Sequence, residues 1–508
     1  MHPTPARPLR VATRGSRLAA LALVLAAAWP APGARAQGYA TGVEEALGPL
    51  YRGNPYAQRA APVVSRDTTP LGMVRHWNEV AIDASGLDHT PVAPGEPRVF
   101  GEQYGPTRAS RAMAIVHIAV FEAVNAVAGR HRSYVGLPAA MPGTSMEAAI
   151  AQAAHDTLAA MFPSQAPAFD AHLAQDLAAV KGTHPKALGV DVGHRAAAAI
   201  LALRAADGSA HAEPRIGIDY VTGTAAGEWR QDPVSMVPIA LGARWNEVTP
   251  FVMASAAQFR APPPPALDSL AYAMAFAEVR MLGGDGVVTP TMRTAQQTTI
   301  GIFWAYDGTP SLCAPPRLYN QIAMQIAAKR NTDVVDLARL LALANTAMAD
   351  AAIAIWESKY FYEFWRPVTG IRVNDGARMT IADPGFLPLG APASNLDGPN
   401  FTPPFPAYPS GHAGFGGALF QTLRRFFGTD RIAFSFVSDE FNGETLDHDG
   451  NVRPRVERSF RTLSEAEDEN GQSRIYLGIH WVFDKNEGIA QGRKVADYVF
   501  DRAFQPLR

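Results

Sequence analysis

Helical spacing is the feature of this sequence that most limits its fold. From residue 107 onwards apolar side chains recur at three- and four-residue intervals, as at Met113, Val116, Val120, Val124 and Val127. This spacing lines one face of an α-helix, whereas the alternation expected of strands is rare. The predicted fold class is therefore mainly α. Further helices are predicted at 145–161, 166–180, 185–206, 267–282, 290–305, 319–329, 333–364, 410–427, 462–479 and 485–504.

Two irregular stretches flank the first set of predicted helices. Residues 37–105 are rich in turn-forming residues, and residues 207–265 end in a run of four prolines. The 508 residues, 47% of them hydrophobic, suffice for two lobes. We therefore predict an N-terminal helical bundle with long loops over 37–265 and a C-terminal helical bundle over 266–508.

The N-terminus has the pattern of an export signal. Four arginines precede the apolar run 18–29, and an Ala-x-Ala cleavage site at 34–36 follows turn-forming residues. The run is too short for a bilayer, which needs about 20 residues. The pattern predicts a signal peptide over 1–36 and a periplasmic or secreted protein, with a membrane anchor as the alternative. Since no later apolar stretch reaches that length, we expect no membrane span in the mature chain.

Charge and cysteine content exclude several function classes. The formal net charge of −2 gives no electrostatic footprint for nucleic acid, so any anion site has to be local. A single cysteine, Cys313, excludes an intramolecular disulfide and argues against a thiolate metal site. The sequence also offers no haem-ligand or iron–sulfur motif. The sequence does not fix the oligomeric state.

Three segments of the second half carry chemistry. In the first, Lys359 and Arg366 are seven residues apart, so one continuous helix would place them on the same face, with Pro367 ending the helix. Two cations among aromatic residues are costly unless they share an anion. The alternative is a pair of surface cations whose stems pack on apolar groups.

The second segment opens a predicted helix. Ser410 is a suitable N-cap residue, Gly411 allows close backbone approach, and free N–H groups at a helix N-terminus bind anions. His412 would then lie in the first turn, where an imidazole can exchange a proton with a bound anion. An ordinary serine cap beside an exposed histidine is equally compatible with this segment alone.

The third segment, residues 473–484, adds Arg474 and His480 within an apolar stretch. Asp484 lies four residues after His480 and could orient one ring nitrogen, which would leave the other free to act as a ligand or nucleophile. A hydrogen-bonded core histidine is the alternative. Taken together, the segments supply three cations, neutral donors and two histidines, a set that suits a five-coordinate phosphoryl transition state or a vanadate resembling it.

These spacings resemble the shared pattern of type 2 phosphatidic acid phosphatases and vanadium-dependent haloperoxidases. The pattern is a lysine, six residues and Arg-Pro, then Pro-Ser-Gly-His, then Ser-Arg, five residues, His, three residues and Asp. The 60 residues between His412 and Ser473 favour the haloperoxidase branch, because most of the phosphatases have fewer. The residues of segments 303–308, 361–367, 403–408 and 436–440 resemble those of fungal-type vanadium chloroperoxidases. The similarity extends over roughly residues 267–503.

The resemblance implies two helical bundles with a vanadate cofactor, and no haem, at the end of the second. His480 would be the metal ligand, and Lys359, Arg366, Ser410, Gly411 and Arg474 would bind the vanadate oxygens. His412 would take a proton from hydrogen peroxide, and Lys359 would polarise the peroxide for attack by halide. Hydrogen peroxide, a halide and in some cases a small organic acceptor would be the partners.

Substrate preference rests on fewer residues. Trp356 and Phe405 match the apolar positions of the chloroperoxidase halide pocket, which favours chloride and bromide, although core packing also explains both. Asp484 and Asp350 are candidates for orienting site residues, Asp350 as a partner of an arginine or simply as a charge on a helix face. Two rival functions use the same sequence. One is an exported acid phosphatase with His480 as nucleophile, and the other is a non-catalytic helical binding protein.

Overall fold

The computed structural model describes residues 67–373 and 376–507, and this part of the chain is mainly α-helical. The predicted fold class is confirmed, whereas the predicted signal peptide over 1–36 lies outside the described residues. The helices are α1 (Pro70–Asp88), α2 (Gly105–Ala128), α3 (Met146–Met161), α4 (Ala166–Ala179), α5 (Thr183–Arg204), α6 (Leu270–Leu282), α7 (Ala295–Phe303), α8 (Pro315–Lys329), α9 (Val334–Tyr362), α10 (Pro367–Arg372), α11 (Gly411–Phe427), α12 (Leu463–Tyr476) and α13 (Val482–Arg502). Two short antiparallel strands, β1 (Phe434–Val437) and β2 (Glu457–Phe460), pair between α11 and α12.

Helix α1 contradicts the prediction that residues 37–105 are irregular throughout. It begins after Thr69, whose side chain accepts a hydrogen bond from the N–H of Gly72, and Pro70 occupies its first position. Met73 and Trp77, four residues apart, are both buried. The helical period was therefore present in the sequence, but the turn residues on both sides obscured it.

The sequence suggested that Lys359 and Arg366 share one face of a continuous helix. In the structure they do not lie on the same helix. Helix α9 ends at Tyr362, three residues after Lys359. The next residue, Glu363, is left-handed (φ 46°), and its N–H donates to the Lys359 carbonyl. The chain then turns, and Arg366 caps α10 with Pro367 as its first residue. The two cations therefore approach one another across a turn and not along a helix face.

Helix α9 is the centre of the fold. It packs against α2, α11 and α13, and nearly all of its residues are buried. The largest apolar cluster extends from Met73 to Phe504 and includes side chains from both sides of residue 265. The division into bundles at 265 stays a prediction.

Two helices of the described region are long and apolar enough to cross a membrane, so the expectation that no later stretch reaches that length is wrong. They are α2 (Gly105–Ala128) and α9 (Val334–Tyr362). In their most apolar windows 83% and 100% of the residues are buried inside the protein. Core helices of soluble proteins have the same property, so these helices are weak support for a membrane span.

Glycines bring α11 and α13 into direct backbone contact. A side chain at Gly492 would overlap the carbonyl oxygen of Gly414, and one at Gly488 would lie 2.5 Å from the carbonyl oxygen of Ser410. The N–H of Ser410 in turn donates to the Asp484 carbonyl at 2.9 Å. This close approach fixes the N-terminus of α11 beside that of α13. The second sequence segment leads into α11, and the third leads into α13.

Candidate functional site

Hydrogen bonds tie the three sequence segments together. Lys359 Nζ donates to the carbonyl oxygens of residues 406 and 407, at 2.7 and 3.0 Å. Arg366 donates through Nε to the Phe405 carbonyl at 2.9 Å and through Nη1 to the Ile479 carbonyl at 3.0 Å. The first segment thus holds the loop that precedes Ser410 and the backbone that precedes His480.

Three cations are buried at this junction. Lys359 and Arg474 are 0% exposed and Arg366 is 1% exposed. Of the three, only Arg474 has a carboxylate ion-pair partner among the described residues, Asp307, whose Oδ1 lies 2.6 Å from Arg474 Nη2. Buried charge of one sign is costly without a counter-charge. The arrangement therefore requires an anion.

The pKa values show the same excess of positive charge. Burial lowers the pKa of the Lys359 ammonium well below 10.5, and the charges of Arg366 and Arg474 lower it further. Two donors of Arg474, Nε and Nη1, are buried and have no hydrogen-bond partner among the described residues. A bound oxyanion would supply both the missing charge and the missing acceptors.

His480 presents one ring nitrogen to this cluster. Its Nδ1 lies 2.8 Å from Asp484 Oδ2, which also accepts the backbone N–H of Trp481 at 2.9 Å. The carboxylate therefore holds the proton on Nδ1 and leaves a lone pair on Nε2, which accepts from Arg366 Nη1 at 2.9 Å. Burial, followed by the charge of Arg366, lowers the His480 pKa well below 6.5, so the ring is neutral.

His412 lies in the first turn of α11. Ser410 is the N-cap residue, as predicted, and its Oγ accepts the N–H of Ala413 at 3.4 Å. His412 Nε2 hydrogen-bonds to the carbonyl oxygen of Ala305, and Nδ1 lies 3.8 Å from Asp307 Oδ1. Burial and then the charge of Arg474 lower the His412 pKa well below 6.5. The second histidine is therefore also neutral in this protein.

Sequence reasoning missed the residues that hold His412 and Arg474. Asp307 contacts both, and the Tyr319 hydroxyl and Asn470 side-chain amide donate to the His412 carbonyl at 2.8 and 3.1 Å. Asp307 lies in segment 303–308, which resembles fungal-type vanadium chloroperoxidases, but the resemblance assigns no role to the aspartate. Nothing in the local sequence around Tyr319 or Asn470 indicates that they reach the site.

The two predicted halide-pocket residues lie side by side. The Trp356 and Phe405 ring centroids are 4.9 Å apart, and Lys359 Nζ lies 5.6 and 5.1 Å from them. The Trp356 indole N–H donates to the Leu241 carbonyl at 3.0 Å, which fixes its plane. A side chain at Gly411 would lie 3.2 Å from the indole ring, so glycine permits the helix N-terminus to approach it.

Asp350 does not pair with an arginine of the site, which was one of its two predicted roles. It lies nine residues before Lys359 on α9, about 14 Å along the axis at 1.5 Å per residue. Its carboxylate accepts the backbone N–H groups of residues 251–253 at 2.6, 2.8 and 2.9 Å. Asp350 therefore holds a loop of the first half, and its predicted pairing with an arginine at the site is wrong.

A cavity of about 320 Å³ leads to the junction. At its polar end it is lined by Gly411, His412, Arg474 and His480, and Trp356 and Phe405 form part of its wall. Residues from both halves of the chain complete the wall. The site is therefore a concave pocket that reaches Arg474 and both histidines, the form expected of a small-molecule site.

Comparison with known proteins agrees with this geometry. Residues 339–508 match the family model of the VCPO second helical-bundle domain, a stretch that contains all three segments. Over these residues the chain is similar to vanadium haloperoxidases. Over 236 residues, 40% of its length, the chain is 43% identical to the vanadium chloroperoxidase of Curvularia inaequalis. That match spans 38% of the length of the fungal protein.

Solved haloperoxidase structures resemble nearly the whole chain. A bacterial vanadium-dependent iodoperoxidase superposes with a TM-score of 0.68 at 25% identity, covering 88% of this chain and 99% of that one. A holo-type bacterial vanadium-dependent chloroperoxidase gives a TM-score of 0.57 at 18% identity, covering 81% of this chain and 94% of that one, which is a likeness of fold. The relationship predicted from the three segments is thereby confirmed.

The residues at this junction fit a vanadate ion. The junction offers to the oxygens three buried cations, the helix α11 N-terminus and two Arg474 donors that have no partner in the described part of the chain. It offers the His480 Nε2 lone pair to the metal. Among the described residues no group of three or more His, Cys, Asp or Glu side chains is placed to hold a metal ion. A donor set of one imidazole and several cations suits a metal oxyanion better than a bare cation.

Proposed function

We propose that this protein is a vanadium-dependent haloperoxidase that oxidises chloride or bromide with hydrogen peroxide to hypohalous acid. The observation that carries the proposal is the buried cluster of Lys359, Arg366 and Arg474 beside a neutral His480, whose Nε2 lone pair faces the Arg366 guanidinium. Both the sequence relative and the bacterial structure with a TM-score of 0.68 are named as haloperoxidases. The relatives differ in the halide for which they are named, chloride for one and iodide for the other. The choice of chloride or bromide for this protein is therefore our proposal.

Each residue of the cluster has a part in holding the cofactor. His480 Nε2 would bind vanadium, with Asp484 keeping the proton on Nδ1. Lys359, Arg366 and Arg474 would bind the oxygens, together with the Ser410 hydroxyl and the Gly411 N–H. Vanadate, when bound, supplies a Lewis acid that activates peroxide for two-electron oxidation of the halide.

Proton transfer would fall to His412. Its ring is buried and neutral, so it can accept a proton from incoming hydrogen peroxide. Its hydrogen bond to the Ala305 carbonyl and its proximity to Asp307 fix the ring orientation. Lys359, whose Nζ lies beside the Trp356 and Phe405 rings of the pocket wall, would polarise the peroxide as the halide attacks.

Trp356 and Phe405 support the choice of a small halide. Both rings lie within 6 Å of Lys359 Nζ and are almost completely buried. An apolar wall removes water from a small anion and strengthens its attraction to the ammonium group. We propose that these rings form the halide site.

The test is halogenation of monochlorodimedone by purified protein with hydrogen peroxide and bromide or chloride, with and without orthovanadate. We expect activity that depends on vanadate, peroxide and halide together. The rival acid phosphatase, with His480 as nucleophile and Asp484 as its partner, is tested with p-nitrophenyl phosphate on vanadate-free protein. Phosphate release without any vanadate-dependent halogenation would reverse the assignment.

Export of the mature protein to a periplasm or the medium is part of the same proposal. It rests on the arginines, apolar run and cleavage site within residues 1–36. N-terminal sequencing of protein recovered outside the cytoplasm is expected to begin near Gln37. Retention of residues 1–36 in the mature protein would contradict it.

A further inference from the structure

The Trp356 indole is held from the first half of the chain as well as from the second. Its N–H donates to the Leu241 carbonyl at 3.0 Å, and the Tyr360 hydroxyl donates to the same carbonyl at 3.0 Å. A side chain at Gly242 would overlap Cδ1 and Nε1 of the indole. The φ of Gly242 is 77°, which glycine adopts without strain. Segment 240–242 therefore abuts the pyrrole edge of the ring.

The opposite edge of the indole meets a second glycine. A side chain at Gly411 would lie 3.2 Å from Cη2 and 3.3 Å from Cζ3 of Trp356. The Phe405 and Phe415 rings also pack against the indole, with centroids 4.9 and 6.2 Å away. A packed interior yields little, so the ring moves most readily into the cavity that it helps to line.

Segment 240–242 is itself held by a buried ion pair. The Gly242 N–H donates to the Glu213 carboxylate, and Glu213 Oε1 lies 3.1 Å from Arg108 Nη2. The side chains of Glu213 and Arg108 are almost completely buried. Hydrogen bonds to an ionised acceptor are stronger than those between neutral groups. The position of Gly242 is therefore firmly fixed.

The same segment reaches the second ring of the proposed halide site through the backbone. The Leu241 N–H donates to the Pro404 carbonyl at 3.0 Å, and Phe405 is the next residue. Leu241 thus accepts a hydrogen bond from Trp356 and donates one to the residue before Phe405. The first half of the chain therefore supports both rings.

We propose that segment 240–242 determines halide selectivity, because it fixes the Trp356 ring and with it the width of the halide site. The inference rests on the proposed haloperoxidase function and adds residues that set its choice of halide. A site of fixed width discriminates between ions by size, and iodide is larger than bromide. Gly242 acts through the indole and is a positioning residue.

The first variant, G242A, places a methyl group against the indole. We expect the ring to move into the cavity and narrow the halide site. The ratio of KM for iodide to KM for bromide should rise about tenfold, since a displacement of about 1 Å within a site can cost up to about 100-fold. Vanadate affinity, measured by thermal shift, and kcat at saturating halide should stay close to those of the control.

G217A is the matched control for G242A. Gly217 lies in the same irregular stretch with a φ of 82°, and a side chain there would meet nothing within 4 Å. Both variants therefore carry the same backbone strain, but only G242A disturbs the indole. In crystals soaked in bromide, the anomalous peak should touch the Trp356 and Phe405 rings in G217A and be displaced in G242A.

The second variant, Y360F, loosens the segment without adding bulk. It removes one of the two donors to the Leu241 carbonyl, so the site can widen. The KM ratio of iodide to bromide should then fall about threefold, as expected for loss of one hydrogen bond between neutral groups. Y134F is its control, because the Tyr134 hydroxyl donates to the Phe251 carbonyl at 2.6 Å and neither residue lines the cavity. General destabilisation would not move the two ratios in opposite directions.

The vanadate-loaded, full-length proteins are assayed with hydrogen peroxide, iodide oxidation as triiodide and bromide oxidation with monochlorodimedone. KM ratios of G242A and Y360F equal to those of their controls would overturn the inference and leave the haloperoxidase function intact. If G242A does not fold, the ratio for Y360F alone decides. Bromide bound away from both rings would also overturn it. Absence of vanadate-dependent oxidation of both halides by the unaltered protein would defeat the proposed function and the inference together.

Discussion

At the scale of single residues, the two histidines of the site differ in what holds their ring nitrogens. His480 is held by a carboxylate and directs a lone pair towards Arg366, whereas His412 is held by a backbone carbonyl and lies beside Asp307. A carboxylate strengthens an imidazole as a metal ligand. A neutral ring without that support is better suited to moving a proton.

This difference predicts separate effects of replacing His412. H412Q can keep the hydrogen bond to the Ala305 carbonyl but cannot accept a proton near neutral pH. We expect turnover to fall by about 10²–10⁴-fold while vanadate affinity changes little. Bromination rate and vanadate titration by thermal shift measure the two quantities on the same protein. An equal loss of both would mean that His412 binds the cofactor instead.

Asp307 is expected to act on vanadate affinity. Its carboxylate orients Arg474, and without that charge the guanidinium loses a fixed position. D307N should weaken vanadate binding by about 10–100-fold, the usual effect of replacing a residue that orients a ligand. D268N, at an exposed position before α6, is the control. Unchanged vanadate affinity in D307N would show that Arg474 is positioned by other contacts.

Much of the residue-scale site could be predicted because its chemistry is encoded in short segments. Lys359, Arg366, Ser410, Gly411, His412, Arg474 and His480 carry distinctive spacings. Tyr319 and Asn470 could not be predicted, because each reaches His412 from a different helix and looks like an ordinary polar residue in sequence. Asp350 was misassigned for the same reason, since its partners lie about a hundred residues away.

At the scale of elements, glycine contacts between α11 and α13 determine where the site forms. Gly414 and Gly492 allow the two backbones to touch, and the helices carry Ser410 and Asp484 at their N-termini. Helix propensity alone would favour alanine at either glycine by up to about 1 kcal/mol. The packing contact opposes that preference. The sign of the stability change when alanine replaces either glycine therefore shows which effect is larger.

G492A is expected to destabilise the protein despite its better helix propensity. The added methyl group would overlap the Gly414 carbonyl, and overpacking of this kind costs about 1–3 kcal/mol. A lower melting temperature and weaker vanadate binding should appear together. K494A, exposed on the same helix, should change stability by no more than about 0.5 kcal/mol. A G492A protein as stable as the original would show that the helices separate at little cost.

The elements themselves were predicted well where the helical period was uninterrupted. Helix α11 was predicted at 410–427 and is observed at Gly411–Phe427. The end of α9 was placed two residues too late, because the chain leaves the helix at a left-handed Glu363 and pairs with residues 227–229. Tertiary contacts of that kind leave no local signal.

At the scale of the whole molecule, the core couples the two halves of the chain. His117 on α2 is buried within this core, with Nδ1 2.8 Å from the Met113 carbonyl and Nε2 3.0 Å from Asn78 Oδ1. Burial lowers its pKa to about 4. Between that value and 6.5 the unfolded chain binds a proton that the folded protein does not. Stability contributed by the neutral ring is present above pH 6.5 and is lost as the pH falls towards 4.

H117Q should therefore flatten the acid side of the stability profile. Between pH 7.5 and pH 5 the original protein should lose about 2 kcal/mol more unfolding free energy than the variant. Urea unfolding of vanadate-free protein at the two pH values measures this difference. H194Q, on an exposed histidine of α5, provides the comparison. Parallel profiles for H117Q and the original protein would contradict the assignment.

The most direct test of the proposed oxyanion site is the position of vanadium in crystals of the protein grown with orthovanadate. We predict one anomalous peak, bonded to His480 Nε2, with oxygens contacting Lys359, Arg366 and Arg474. Vanadium bound elsewhere, or a site that stays without vanadium at saturating orthovanadate, would contradict the claim that these side chains form an oxyanion site.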